Sequence, residues 1–434
     1  WHGLSSQPYY IKDLAAKFGV KYQVAKVGTF KSATEMFTET KMSDANRLQV
    51  SMYLNGLWAN VCKAVSESRK ISIPALNTYA DEYQLFADAQ SLVKKRFVDK
   101  LLYADQVKGE VKKLLGIDSD KSINQVGVTA MCNVPQDADT DDGTIAIYYA
   151  EGEIVQIAPG GMFNNSTNIV SKDICKNLED LKNDDDIKAV VLRINSPGGD
   201  AYASEQIWHQ VTELCKKKPV VVSMGDYAAS GGYYISMAGK KIFADNATIT
   251  GSIGVVSMMP KFYNAQNKYG VTANTISKGK YSDMYNPFTP LTEESKAKIS
   301  ESMLSTYKEF KSRVTASRKI DDTTLENYAQ GKIWLGDEAK NIKLVDEIGG
   351  LEDTIKAMAK DLKLGEDYHV ENIYTEMNFE RTLKLLSSFI FEKISLTSQL
   401  EAKLPKSAKL FDEYKLIEDN QNKPMYYLPY KLEF

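Results

Sequence analysis

The sequence predicts an α/β protein built from two tandem copies of one domain. Three observations lead there. From Gly143 onward, short apolar runs of strand type alternate with helical stretches. Two segments 251 residues apart, from Gly19 to Gly270, repeat the same elements in the same order. Two consecutive strand-to-helix junctions carry adjacent glycines, and one of them bears a serine.

The second copy reads in order. "GTIAIYYA" and "EIVQIA" are strands around a turn at Glu151-Gly152, and "NIVSKDICKNLEDLKND" is a helix. "IKAVVLRIN" is continuous in Val, Leu and Ile, the pattern of a strand buried on both faces. "SPGGD" is a turn, "AYASEQIWHQVTELCKKK" a helix and "PVVVSMG" a second buried strand. The Ser230 turn, a short apolar helix "YYISMAG" and the strand "ITGSIGVVS" follow. Such alternation implies right-handed crossovers on a largely parallel sheet.

The repeat links "KFGVKYQVAKVGTFKS" from Lys17 to "KYGVTANTISKGKYSD" from Lys268. Each reads as a helix end, a strand and a Gly-x-aromatic unit. A loop with Phe-Thr then leads into a long helix closing in "SESRKI" or "TASRKI". "FVDKLLYADQVKGEVKKLLGI" echoes "LVDEIGGLEDTIKAMAKDLKL" further on. At this offset Trp1 pairs with Ser252, so the first copy is expected to start mid-domain, its opening strands upstream of Trp1 in a longer precursor. The expected division is 1–119 for the end of the first copy, 120–142 as linker, 143–363 for the second copy and 364–434 as a helical extension. An amphipathic helix is expected at 378–404, docked on the body or at an oligomer contact.

Composition narrows the function classes. Of 434 residues 43% are apolar and 26% charged, a soluble globular profile, and the net charge of −3 points away from nucleic acid. No apolar run is long enough to predict a transmembrane helix within these residues, and there is no signal-peptide pattern. Cys62, Cys132, Cys175 and Cys215 have no metal spacing, and no metal or cofactor is expected. His2, His209 and His369 are the whole histidine complement, and none sits in a motif.

The chemistry gathers at the two glycine junctions. In "RINSPGGDA" adjacent glycines let backbone N–H groups approach a ligand with no Cβ in the way. In "VSMGDYAASGGYY" a strand delivers Ser230 to a helix start, where free N–H groups and the helix dipole favour negative charge. Both junctions lie at carboxyl ends of strands, where open α/β sheets bind ligands. Ser230 is either a helix cap or a nucleophile. As a nucleophile it needs a base, and with no histidine in place a lysine of depressed pKa is the remaining choice. The repeat singles out Lys31, which occupies the slot that Ser282 fills in the second copy; Lys278 and Lys280 are rivals.

"RINSPGGDAYASEQIW", "VSMGDYAASGGYYISMAGKKIFADNATITGSIGVV", "KVGTFKSATEMFT" and "GKIWLGDEAKNIKLVDEIGG" together closely resemble the signal peptide peptidase A (protease IV) family in its long two-repeat form. The resemblance covers nearly the whole chain, most weakly after Asp367. It implies tandem Clp-protease/crotonase-like domains, the first truncated at its N-terminus. It implies a serine endopeptidase with Ser230 as nucleophile and Lys31 as general base. Backbone N–H groups of Gly198 or Gly199, and of Gly231, are assigned to the oxyanion hole. It also implies a homo-oligomer, a tetramer enclosing its sites, that degrades cleaved signal peptides. The place is the extracytoplasmic (periplasmic) side of the bacterial cytoplasmic membrane, with an anchor upstream of Trp1. One departure is Lys343, where a glycine usually precedes the Leu-Val-Asp unit. The rival readings are a crotonase-type acyl-CoA enzyme, which would need no serine nucleophile, and a non-catalytic scaffold of peptidase ancestry.

Overall fold

A computed structural model describes residues 1–82, 84, 87–127, 131, 143–158, 167–365, 368–374 and 425–427. In chain order its strands are β1 (Lys21–Val27), β2 (Thr144–Glu151), β3 (Glu153–Val155), β4 (Asn168–Val170) and β5 (Ile187–Ser196). They continue with β6 (Gly198–Asp200), β7 (Val220–Ala229), β8 (Lys241–Ala244), β9 (Ile249–Gly251) and β10 (Val255–Lys261). The last are β11 (Ile333–Leu335), β12 (Glu347–Ile348), β13 (His369–Ile373) and β14 (Met425–Tyr427).

The chain packs as two compact units, Trp1–Ser6 with Leu54–Asp141, and Gln7–Tyr53 with Asp142–Phe434. The first is helical among its described residues. Its core holds Cys62, Ile71 and Leu76, with Trp1, Trp58, Tyr79 and Phe97 packed against them. The second unit carries the sheets. β2, β5, β7 and β8 run parallel, as expected of Val-, Ile- and Leu-rich strands covered on both faces. Helices Ser171–Asn183, Ala201–Cys215 and Glu293–Arg318 turn apolar residues such as Leu178, Ile207 and Phe310 into the core below. A second sheet runs in the order β1-β10-β14-β6-β3-β4.

The repeat is visible in matched atomic details. Helices Asp44–Arg69 and Glu293–Arg318 each span 26 residues and are followed by left-handed lysines, Lys70 (φ 56°) and Lys319 (φ 53°). Arg69 donates from Nε to the Arg96 carbonyl (2.7 Å) and pairs with both oxygens of Asp99 (3.0 Å each). Arg318 does the same with the Lys343 carbonyl (2.9 Å) and with Asp346 (2.8 and 2.5 Å). Arg96 and Lys343 both adopt φ near +65°, 64° and 66°. That conformation is the reason glycine would suit the position of Lys343.

Several local expectations change. Asn168–Val170 is a strand rather than the first turn of the helix that follows, because it pairs in parallel with β3. "GGD" is the short strand β6 rather than only a turn. "ITGSIGVVS" splits into β9 and β10 because Gly251 (φ 80°) and Ser252 (φ 52°) turn the chain. β1 is a strand, but its counterpart after Gly270 has no regular structure and is exposed through Lys280. β1 has β10 as a partner along Lys21–Val27, which satisfies its backbone groups. Within 364–434, expected as a helical extension, His369–Ile373 is instead a strand that pairs in parallel with β2. The helix expected at 378–404 lies outside the described residues.

Candidate active site

β7 brings Ser230 to the sheet's carboxyl edge. Its first half pairs with β8 and its last three residues, Tyr227–Ala229, pair with β9. Ser230 then breaks the strand at φ 56°, ψ −115°, and helix Gly231–Ser236 begins. A non-glycine residue at positive φ is strained, so the surroundings must enforce it. The Ser230 N–H donates to the Gly251 carbonyl (2.9 Å), while its side chain makes no capping bond to the helix. The hydroxyl is therefore free for another partner, and the capping alternative fails.

Packing explains the residues behind Ser230. A Cβ on Gly231 would stand 2.6 Å from Ser204 Oγ, and one on Gly232 2.8 Å from the Ser196 carbonyl oxygen. Tyr233 is fully buried and donates to the Leu344 carbonyl (2.8 Å). Tyr234 hydrogen-bonds Glu205, which Arg313 holds at 2.6 Å from the long helix. These anchors fix the short helix and with it the strained serine.

The other glycine junction lies beside it because β5 and β7 are parallel neighbours. After an irregularity at Ile194/Ser196, Ser196 pairs with Ala228. Gly198 (φ 108°) and Gly199 (φ 153°) take conformations that a side chain resists. A Cβ on Gly199 would sit 2.0 Å from the Ile154 carbonyl oxygen. The Gly199 nitrogen lies 3.2 Å from where a Gly231 Cβ would project, so the two assigned backbones face each other closely. The Gly198 N–H donates to Ser196 Oγ (3.1 Å).

Lys31 arrives from the other repeat. Antiparallel pairing of β1 with β10, ending at Val27↔Val255, delivers the loop after Val27 to the start of β10. There the loop is clasped: the Phe30 N–H donates to the Gln330 carbonyl (2.8 Å), and Gly331 packs on the Lys31 backbone. Lys31 Nζ lies 2.8 Å from Ser230 Oγ, 2.9 Å from Ser252 Oγ and 3.1 Å from the Ser252 carbonyl oxygen. Lys31 is 1% exposed, Ser252 1% and Ser230 0%. Burial pushes the Lys31 ammonium well below its ordinary pKa. A neutral amine has two N–H donors and one lone pair. The two Ser252 oxygens can take the donors, leaving the lone pair for the Ser230 hydroxyl proton.

The rival lysines lie elsewhere. Lys278 and Lys280 are exposed, and Lys280 pairs with Glu294 at 2.8 Å, a contact that raises its pKa. His2 and His209 are exposed, and His369 sits on β13. Sequence reasoning missed Ser252 and Gly331, which hold Lys31. Their only local signal was adjacency to Gly251, Gly254 and the Lys332-Ile333 strand start, which reads as ordinary turn chemistry.

A largely parallel sheet crossed by helices is of the Clp-protease kind. The sequence model for Clp protease matches residues 161–251, from the approach to β4 through β9. The model for Peptidase family S49 matches residues 1–118 and 212–365, more than half of the chain in two segments. The chain belongs to peptidase family S49. It is 33% identical over 407 residues to Protease 4 of Haemophilus influenzae, covering 90% of this chain and 64% of that one. It is 32% identical over 388 residues to Protease 4 of Salmonella typhi (85% and 60%). It is 31% identical over 363 residues to the chloroplastic serine protease SPPA of Arabidopsis thaliana (83% and 53%). The chain thus spans between about half and two thirds of the length of these relatives.

Proposed function

We propose that the chain is a serine endopeptidase with a Ser230/Lys31 dyad that cuts extended peptides. The observation that carries this reading is the 2.8 Å approach of Lys31 Nζ to Ser230 Oγ in a buried setting that favours the neutral amine. Neutral Lys31 takes the hydroxyl proton as Ser230 Oγ attacks the scissile carbonyl carbon. Backbone N–H groups of Gly198 or Gly199, and of Gly231, stabilise the oxyanion. The lysine then hands the proton to the leaving amine, and water, deprotonated by the same lysine, hydrolyses the acyl-serine ester. Ser252 orients the amine throughout.

β14 lies between β6 and β10 and pairs antiparallel with both, so the place between these strands accepts an extended backbone, as a peptide bound by strand addition would need. The family resemblance extends the reading to cleaved signal peptides, at the extracytoplasmic face of a bacterial cytoplasmic membrane, by a tetramer. No helix among the described residues is long and apolar enough to cross a membrane.

The test is hydrolysis of a synthetic signal peptide and of a peptide ester. Ser230→Ala, Lys31→Ala and Lys31→Arg should each lose turnover by about 10²-fold or more while folding normally, since arginine cannot act as a base. Lys280→Ala should keep most activity. An active Lys31→Ala with a dead Lys280→Ala would overturn the dyad. Equal cleavage of a polar peptide of the same length would remove the signal-peptide part alone.

A further inference from the structure

We propose that the cleft between the first half of β1 and the start of helix Glu293–Arg318 binds a small amphipathic anion, an apolar body of moderate length ending in a carboxylate. The site is separate from the dyad and does not depend on the peptidase reading. Lys21 begins β1, about 20 Å along the strand from Val27, after which the Lys31 loop starts.

The cleft has a volume of about 390 Å³, within the roughly 300–1,000 Å³ of small-molecule sites. Ala25, Met259, Leu291 and Ile299 give it an apolar lining. Register builds the floor: Gln23 lies opposite Met259 on the antiparallel β1–β10 ladder, and Ala25 follows on the same face. Leu291 is pinned beside it, because its N–H donates to Gln23 Oε1 (3.0 Å). On the helix Ile299 is buried, while Lys296 one turn earlier and Ser300 are exposed at the rim. An apolar body therefore has a place to lie and an open way in.

The charge gathers at one end. Lys21 stands opposite Lys261 in the ladder, so the two lysines leave the same face side by side. Like charges directly opposed destabilise a sheet. Among the described residues Lys21 has no ion pair, and Lys261, only 1% exposed, has one hydrogen bond, to the Asn286 carbonyl (2.8 Å). Asp283 reaches Lys261 only through space, and burial outweighs it and lowers the lysine's pKa. Lys296 adds a third cation. Its pair with Glu293 (2.6 Å) is exposed and of little net worth, so Lys296 can turn to the cleft it lines. Three lysines against Glu293 and Asp283 leave one positive charge, which a singly charged carboxylate cancels. The same carboxylate takes donors that Lys21 and Lys261 leave unused. Two sources carry this chemistry, a fatty acid and the free C-terminus of a short apolar peptide.

The experiment is calorimetric titration of dilute decanoate into the full chain carrying Ser230→Ala, which removes turnover from the measurement. Decanol and acetate keep only the chain or only the head. Decanoate should bind at least about tenfold more tightly than either. Lys21→Glu should weaken it about tenfold, and Ser300→Trp, which fills the mouth, should block it. Both replace exposed residues, and thermal melts check that they fold. Lys360→Glu makes the same charge change on helix Leu351–Leu362 and should leave binding unchanged. Acetyl-trileucine and its amide separate the sources. Binding of the acid but not the amide, lost in Ser300→Trp, admits a peptide C-terminus; binding of decanoate without acetyl-trileucine restricts the site to a fatty acid. No binding of either acid, or binding that survives both Lys21→Glu and Ser300→Trp, overturns the inference.

Discussion

Replacing Gly331 by alanine tests whether the clasp on the Lys31 loop sets the base's position. Gly331 has φ 76°, and a Cβ there would stand 2.8 Å from the Lys31 nitrogen and 3.0 Å from the Lys31 Cβ. Ordinary non-bonded contact starts near 3.4 Å, so the Lys31 backbone must retreat by about 0.6 Å. The left-handed conformation itself costs alanine about 1–2 kcal/mol. Transmitted to Nζ, that retreat stretches the 2.8 Å contact with Ser230 toward about 3.4 Å, where a hydrogen bond is weak. General-base catalysis contributes about 10²–10⁴-fold, so a partial loss of alignment should lower kcat about 10- to 100-fold with little change in KM. Gly270→Ala is the control. It carries the same backbone strain at φ 69°, but nothing lies within 4 Å of its Cβ. Steady-state ester hydrolysis and thermal melts on both variants separate the effects. Unchanged kcat in Gly331→Ala, or an equal kcat loss in Gly270→Ala, would refute the clasp.

Three further outcomes follow from the same geometry. Burial lowers the Lys31 pKa from its ordinary 10.5, so between the folded-state value and 10.5 the unfolded chain holds a proton that the folded chain lacks. Stability of the second compact unit should therefore rise with pH across that window, by up to about 1.4 kcal/mol per pH unit. Lys31→Met should abolish that increment in urea melts at pH 8.5 and 9.5; an unchanged slope would mean the amine stays charged. By the same sign, kcat/KM should fall about tenfold per unit as pH drops below the folded-state pKa. Gly199→Ala would thrust a Cβ to 2.0 Å from the Ile154 carbonyl oxygen, so it should break β6–β3 pairing and abolish both peptide binding and turnover. Full activity in that variant would show that β6 is no wall of the site.

Read without coordinates, the chain already declares its buried parallel strands, because continuous Val, Ile and Leu runs such as "KAVVLRI" need cover on both faces. It declares the repeat as well, through matched units such as "SESRKI" with "TASRKI" and "FVD" with "LVD", whose Arg and Asp the structure pairs as Arg69–Asp99 and Arg318–Asp346. Ser230 and the glycines stand out locally, because adjacent glycines at strand ends relieve constraints that any side chain would violate. The meeting of Lys31 with Ser230, 199 positions apart, depends on β1 pairing with β10 rather than with a strand of its own repeat. Pairing partners are chosen by whichever edge is free in three dimensions, and no local pattern encodes that choice. The same holds for Ser252 and Gly331, whose turns look ordinary until they close on the lysine. It holds too for Met425–Tyr427, where three residues become a strand only because two sheet edges wait one strand apart.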